Sequence, residues 1–235
     1  MADPSPITLV ALCDPVERPG LIAAAELLNE CLGAASGGQA WPVRLNLLPP
    51  GSTVASETAP TAIITSLLIE TLRPDEPIEA TTARWRAHLQ QLIGAGAPVF
   101  VRTVFRHVQG RAADGSATPM LERIRRLNLM AAELSNELGV AVIDIDRAFA
   151  HIGGRVLQTD YRLSGVLAAE VAGQTTVWSL LSFGLDDVID PDVQEKAKAV
   201  LGDLSQINVL VNRRLANRQA RAQREKTARE KPARG

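Results

Sequence analysis

Five short apolar runs, 7–12, 43–48, 61–68, 98–105 and 140–145, recur along the chain, each rich in Val and Ile and bounded by Gly, Pro or Asp. Continuous runs of this length fit strands buried on both faces, as in a parallel sheet. Segments of helical periodicity lie between them. Residues 21–32 form one; in 80–93, Trp85, Leu89, Leu92 and Ile93 share a face. In 119–138, Met120, Ile124, Leu127, Ala131, Leu134 and Leu138 follow three- and four-residue steps. Thr118 is placed to cap that helix, with Pro119 at its first position and Gly139 just past its end. A further helix is expected over 163–181, after a loop at 153–160. Alternating strands and helices predict an α/β protein: a doubly wound, flavodoxin-like three-layer α/β/α sandwich of about five parallel strands.

The pattern changes at Pro191. Val193, Ala197, Val200, Leu204, Ile207 and Val211 step four, three, four, three, four, a narrow heptad-like stripe. The chain thus reads as an α/β domain (1–188), a C-terminal amphipathic helix (189–215) and a basic tail (216–235). The stripe either docks on its own domain, as Asn208 and Asn212 interrupting its apolar character suggest, or pairs with a protein partner or a second copy. Residues 213–235 carry nine Lys/Arg against Glu225 and Glu230, although the whole chain has a net charge of −1. An anionic partner, nucleic acid or membrane surface, therefore belongs to the tail.

Composition narrows the classes further. With 46% apolar side chains in 235 residues, one well-buried domain and an appendage are expected. Aromatic residues make up only 3%, too few for the stacking platforms of single-strand nucleic-acid binders. Two cysteines, Cys13 and Cys31, suggest no disulfide framework and fit a reducing compartment. The first twenty residues lack a positive n-region and their apolar run is too short for a signal or a span, so a cytoplasmic protein without a transmembrane segment is expected.

Three segments, in order, carry a family likeness. The run 61–68 with the following ARWRAHLQQLIGAGAPVFVRTV, the unit RIRRLNLMAAELSNELGVAVIDIDRAFA (123–150) and QTDYRLSGVLAAEVAG (158–173) resemble the SGNH/GDSL hydrolases over roughly residues 7–185. The resemblance implies a serine nucleophile on the first strand-to-helix loop, a glycine amide and an asparagine side chain for the oxyanion, and a histidine base held by an aspartate. The serine is inert until a base removes its proton, and the oxyanion needs donors already aimed at it. Here Cys13-Asp14-Pro15 stands where the family has Gly-Asp-Ser, and Pro15 offers neither hydroxyl nor N–H. Gly51 in PPGST remains available as the glycine amide. No Gly-x-Asn-Asp follows the third strand, and Arg162, which stays protonated, sits beside the leucine that should follow histidine. These departures together imply a degenerate domain that acts by binding or assembly.

The ligand rim expected from the resemblance comprises Cys13, Asp14, Pro15, Gly51, Ser66, Glu70, Asp160 and Arg162. A different outcome is an esterase or acyltransferase with a relocated site: Ser52 or Ser66 as nucleophile, His107 or His151 as base, and Asp160 as a candidate supporting acid. Cys13, ahead of a helix N-terminus, is either a low-pKa thiolate or core filling. Asp14 and Glu17 read as acids capping the first helix. Arg102, Arg106, Arg111 and Arg162 fall near the same rim and are suited to forked bonds with an anion. His88, His107 and His151 have no metal-ligand spacing, and no phosphate-cradling glycine motif is present, so neither a metal nor another cofactor is expected.

Overall fold

The computed structural model describes residues 6–39, 41–55, 59–108, 117–153 and 157–202. Its five strands, β1 (Ile7–Leu12), β2 (Val43–Leu48), β3 (Ala62–Ser66), β4 (Val99–Arg102) and β5 (Ala141–Ile143), form one sheet in the order β2-β1-β3-β4-β5. All pairs are parallel; Leu9, for example, lies between Leu45 of β2 and Ala62 of β3. The helices are α1 (Arg18–Ala35), α2 (Ile78–Ile93), α3 (Ala117–Leu138), α4 (Ile145–Ile152), α5 (Val166–Phe183) and α6 (Pro191–Leu201).

The apolar runs lack alternation because both sheet faces are covered. Ile7, Leu9, Ala11 and Cys13 join a core with α1, α4, α5 and α6, whereas Val10, Leu12, Ile63, Val99 and Val101 join a second core with α2 and α3. Strand β2 lies at the sheet edge and alternates accordingly, exposing Arg44 and Asn46.

Helix α1 crosses α5 closely. A Cβ at Gly20 would stand 3.1 Å from Ala172 Cβ, and one at Gly173 would stand 3.1 Å from the Ala24 nitrogen. The polar residues buried within α5 bond their own helix: the Thr175, Thr176 and Ser179 hydroxyls donate to the carbonyls of Val171, Ala172 and Thr175.

The structure shortens three expected strands. The run 61–68 stops at Ser66, whose hydroxyl accepts from the Leu68 N–H and caps a 3-10 segment, Leu67–Leu72. After Arg102 the chain leaves the sheet, and Asn128 of α3 exchanges two hydrogen bonds with the Val104 backbone. The third, 140–145, narrows to three residues because Asp144 accepts from Arg147 N–H and starts α4, a helix absent from the periodicity.

The expected helical faces are met, except that Ile93 is exposed. The helix expected from 163 starts at Val166, after Gly165 at φ +100°. Helix α6 packs on α1 and α5 and buries Ala197, the docking geometry for this part of the stripe. It ends at Leu201 because Gly202 takes φ +77°. Leu204, Ile207, Val211 and the basic tail lie outside the described residues. Among those described, no helix is long and apolar enough to cross a membrane.

Gly184, just past α5, admits no side chain because a Cβ there would run into the Phe100 ring. Gly184→Ala is expected to cost about 1–3 kcal/mol through overpacking. A lower urea midpoint at unchanged m-value would show it.

Candidate functional site

In this strand order the ligand crevice lies where the winding reverses, between the carboxyl ends of β1 and β3. The chain leaves β1 through Cys13 and Asp14 into a 3-10 turn, Pro15–Glu17. Asp14 accepts from the Val16 N–H at 3.0 Å, and Glu17 Oε2 accepts from the Asp14 N–H at 3.3 Å, closing a capping box. Pro15, with its fixed φ, occupies the first position of this turn and is exposed.

The turn directs Glu17 inward. Its Oε1 accepts from Ser66 Oγ of β3 at 2.7 Å and from Arg102 Nη1 of β4 at 2.9 Å. Glu17 is 4% exposed and Arg102 only 1%. The switch-point crevice is therefore filled by the chain's own ion pair. Burial pushes the Glu17 carboxyl above the ordinary carboxylate range, and the charge of Arg102 and the bonds from Ser66 and Asp14 offset part of that rise. Among the described residues, Arg102 Nε and Nη2 are buried without a hydrogen-bond partner.

The other expected residues have definite places. Cys13 is buried, and burial together with the Glu17 charge pushes its thiol up to about 11, which overturns the thiolate expectation. Asp14 caps the 3-10 turn rather than α1, whose N-cap Glu17 makes no side-chain cap bond to that helix and is instead a buried ion-pair partner. Ser52 follows Gly51 in a turn closed by its N–H to the Pro49 carbonyl. His107 packs against Phe105 with ring centroids 5.7 Å apart, and His151 is exposed on the last turn of α4. Among the described residues, no hydrogen bond joins a serine to a histidine.

Asp160 is buried and takes the Arg162 guanidinium and N–H, while that guanidinium also lies 5.4 Å from the Tyr161 ring centroid. Each rim arginine among those described has its own carboxylate partner. Arg102 pairs with Glu17, Arg106 with Asp146 and Arg162 with Asp160. Arg111 lies outside the described residues.

A cavity of about 280 Å³ opens beside the filled crevice. Pro50 and Gly51 line it from the turn after β2, and Thr65 and Ser66 from the end of β3. Ile69, Glu70 and Arg73 follow from the 3-10 segment, then Arg84, Trp85 and His88 from α2. Gly51 holds φ +76°, a left-handed conformation natural to glycine. Glu70 is buried and accepts two bonds from Arg84 at 2.7 Å and one from Trp85 Nε1 at 2.8 Å. Burial alone would raise its carboxyl, but these donors outweigh it and hold Glu70 below the ordinary range. His88 is held below the usual imidazole range by burial and by the Arg84 charge.

The expected rim thus divides, with Asp160 and Arg162 paired to each other and outside the cavity lining. Cys13, Asp14 and the Glu17 pair seal the crevice, whereas Gly51, Ser66 and Glu70 open on the cavity. Sequence reasoning missed Thr65, Arg73, Arg84, Trp85 and His88. Arg84 and His88 stand four residues apart on the helix carrying Trp85, a spacing that places them on one face.

A depressed Glu70 pKa means that its contribution to stability is present above the unfolded carboxylate value and is lost as pH falls through the folded one. Glu70→Gln is therefore expected to lower Tm at pH 7, with the gap from wild type narrowing below about pH 4.3. Removing Glu17 or Arg102 alone is expected to cost about 3–5 kcal/mol, because the survivor is left buried and unpaired. Glu17→Gln combined with Arg102→Met should recover most of that loss, a coupling that denaturant unfolding of the double-mutant cycle measures.

No family model and no curated protein sequence matches the chain. Solved structures do. A catalytic mutant of Axe2, an acetylxylan esterase from Geobacillus stearothermophilus, aligns at TM-score 0.57 and 14% identity, covering 77% of this chain and 96% of that one. LAE5, an alpha/beta hydrolase from the metagenome of Lake Arreo, aligns at 0.55 and 14%, covering 75% and 95%. A candidate SGNH hydrolase from Slackia heliotrinireducens aligns at 0.51 and 12%, covering 75% and 100%. At these identities the likeness is one of architecture, and the chain has the fold of the SGNH/GDSL hydrolases.

Proposed function

We propose that this protein uses the SGNH/GDSL scaffold to bind rather than to hydrolyse. The carrying observation is the Glu17–Arg102 pair, which occupies the crevice from which a nucleophile on the first loop would act. Pro15 at the start of that loop has no hydroxyl, and Arg162, at the place of the family's base, is a permanent cation engaged by Asp160. Binding passes instead to the adjacent cavity, whose walls include the Gly51 turn and the end of β3. The basic stretch 213–235 adds a separate attraction for an anionic partner, which weakens steeply with salt.

One observation favours a second reading, a relocated esterase or acyltransferase. Ser66 lines the cavity and donates to a carboxylate at 2.7 Å, a bond through which Glu17 would act as base. Against it, the same Glu17 oxygen is already shared with Arg102 at 2.9 Å, and among the described residues no histidine is bonded to Ser66.

A fluorophosphonate serine probe, with p-nitrophenyl acetate turnover measured in parallel, separates the two. Wild type is expected to show neither labelling nor turnover above the uncatalysed rate. Labelling and turnover that disappear in Ser66→Ala or Ser52→Ala would establish a relocated nucleophile and overturn the binding reading.

A further inference from the structure

Three guanidinium groups and two carboxylates meet beside the cavity. Arg84 bonds both Glu70 and Glu76, and Arg123, buried on α3, lies 3.8 Å from Glu76 while donating to its carbonyl and to Thr81. Arg73 is the third cation, close enough for its charge to act on both carboxylates. It is exposed, lines the cavity and has no ion-pair partner among the described residues. Arg84 and Arg123 are both engaged with Glu76, and Arg73 is the guanidinium of this group without an ion-pair partner among the described residues.

Thr65 provides an independent observation. It is 2% exposed and lines the cavity, and among the described residues its hydroxyl makes no hydrogen bond. A threonine hydroxyl both donates and accepts, so on this wall it is available to bond a group in the cavity. Pro50, Ile69 and Trp85 complete an apolar part of the wall, and 280 Å³ is at the small end of ligand sites.

We propose that this cavity binds a small monocarboxylate with a short apolar chain, its carboxylate bonded by Arg73 and Thr65 and its chain laid against Ile69 and Trp85. A single unpaired guanidinium matches a monoanion better than a doubly charged phosphate ester. Glu70 does not repel such a ligand strongly, because three donors already engage its carboxylate. Burial first and the Arg84 charge second hold the His88 pKa down, and a bound anion would offset the Arg84 part. The proposal rests on the binding reading above and gives it a ligand class.

The test is an NMR titration of the full chain with sodium butyrate, following the Trp85 indole and His88 imidazole resonances. The expected result is saturable shifts of both, with butyramide, the neutral analogue of similar shape, at least tenfold weaker. Arg73→Gln, a surface change that leaves the fold intact, should weaken butyrate at least tenfold, and Thr65→Val should weaken it as well. No saturable shift through tens of millimolar, equal binding of butyrate and butyramide, or undiminished binding in Arg73→Gln would overturn the proposal. Butyl phosphate binding more tightly than butyrate would overturn its monoanion assignment. The same preparation is assayed with p-nitrophenyl butyrate. Turnover with butyrate binding intact would sink the non-hydrolytic reading alone, whereas absence of both would sink the ligand assignment alone.

Discussion

The organisation of this protein's functional end depends on one buried ion pair. Glu17 follows β1, Ser66 closes β3 and Arg102 closes β4, so a single carboxylate ties together three strand ends at the reversal of the sheet. Two charges out of water in so apolar a place are held only because each compensates the other, and neither can be lost alone without leaving an unpaired charge in the interior. With the crevice filled, accessible space lies to one side, under the Gly51 turn and against α2. The position of the cavity and the sealing of the crevice are consequences of the same contact.

The fold was largely legible in the sequence because its signal is redundant. Strands buried on both faces give unbroken Val and Ile runs, and β1 and β2 have the boundaries those runs predict. The errors fall where a side chain competes with the sheet for backbone groups. Ser66 takes the Leu68 N–H, Asn128 takes both backbone groups of Val104, and Asp144 takes the Arg147 N–H. Each ends a strand earlier than apolar character alone would.

The site was less legible, since its parts come from five separated segments. Pro15 and Arg162 could be read as departures from a pattern, but the pairing of Glu17 with a residue 85 positions away could not. One clue was present: Arg102 is a cation within an otherwise apolar run, and such a residue, if buried, requires a partner. The cavity depends on α2 lying beside β3, and the spacing of Arg84, Trp85 and His88 shows a shared helical side without showing what that side meets.

The capping box at Asp14–Glu17 also bears on how such a chain can change over generations. A serine gained at Pro15 would stand on an exposed turn, while the crevice behind it stayed occupied by Glu17 and Arg102. Clearing the crevice first would strand one member of the pair. The loop and the crevice are thus coupled through the capping box, and opening the crevice to a side chain at position 15 requires coordinated substitutions at Pro15, Glu17 and Arg102.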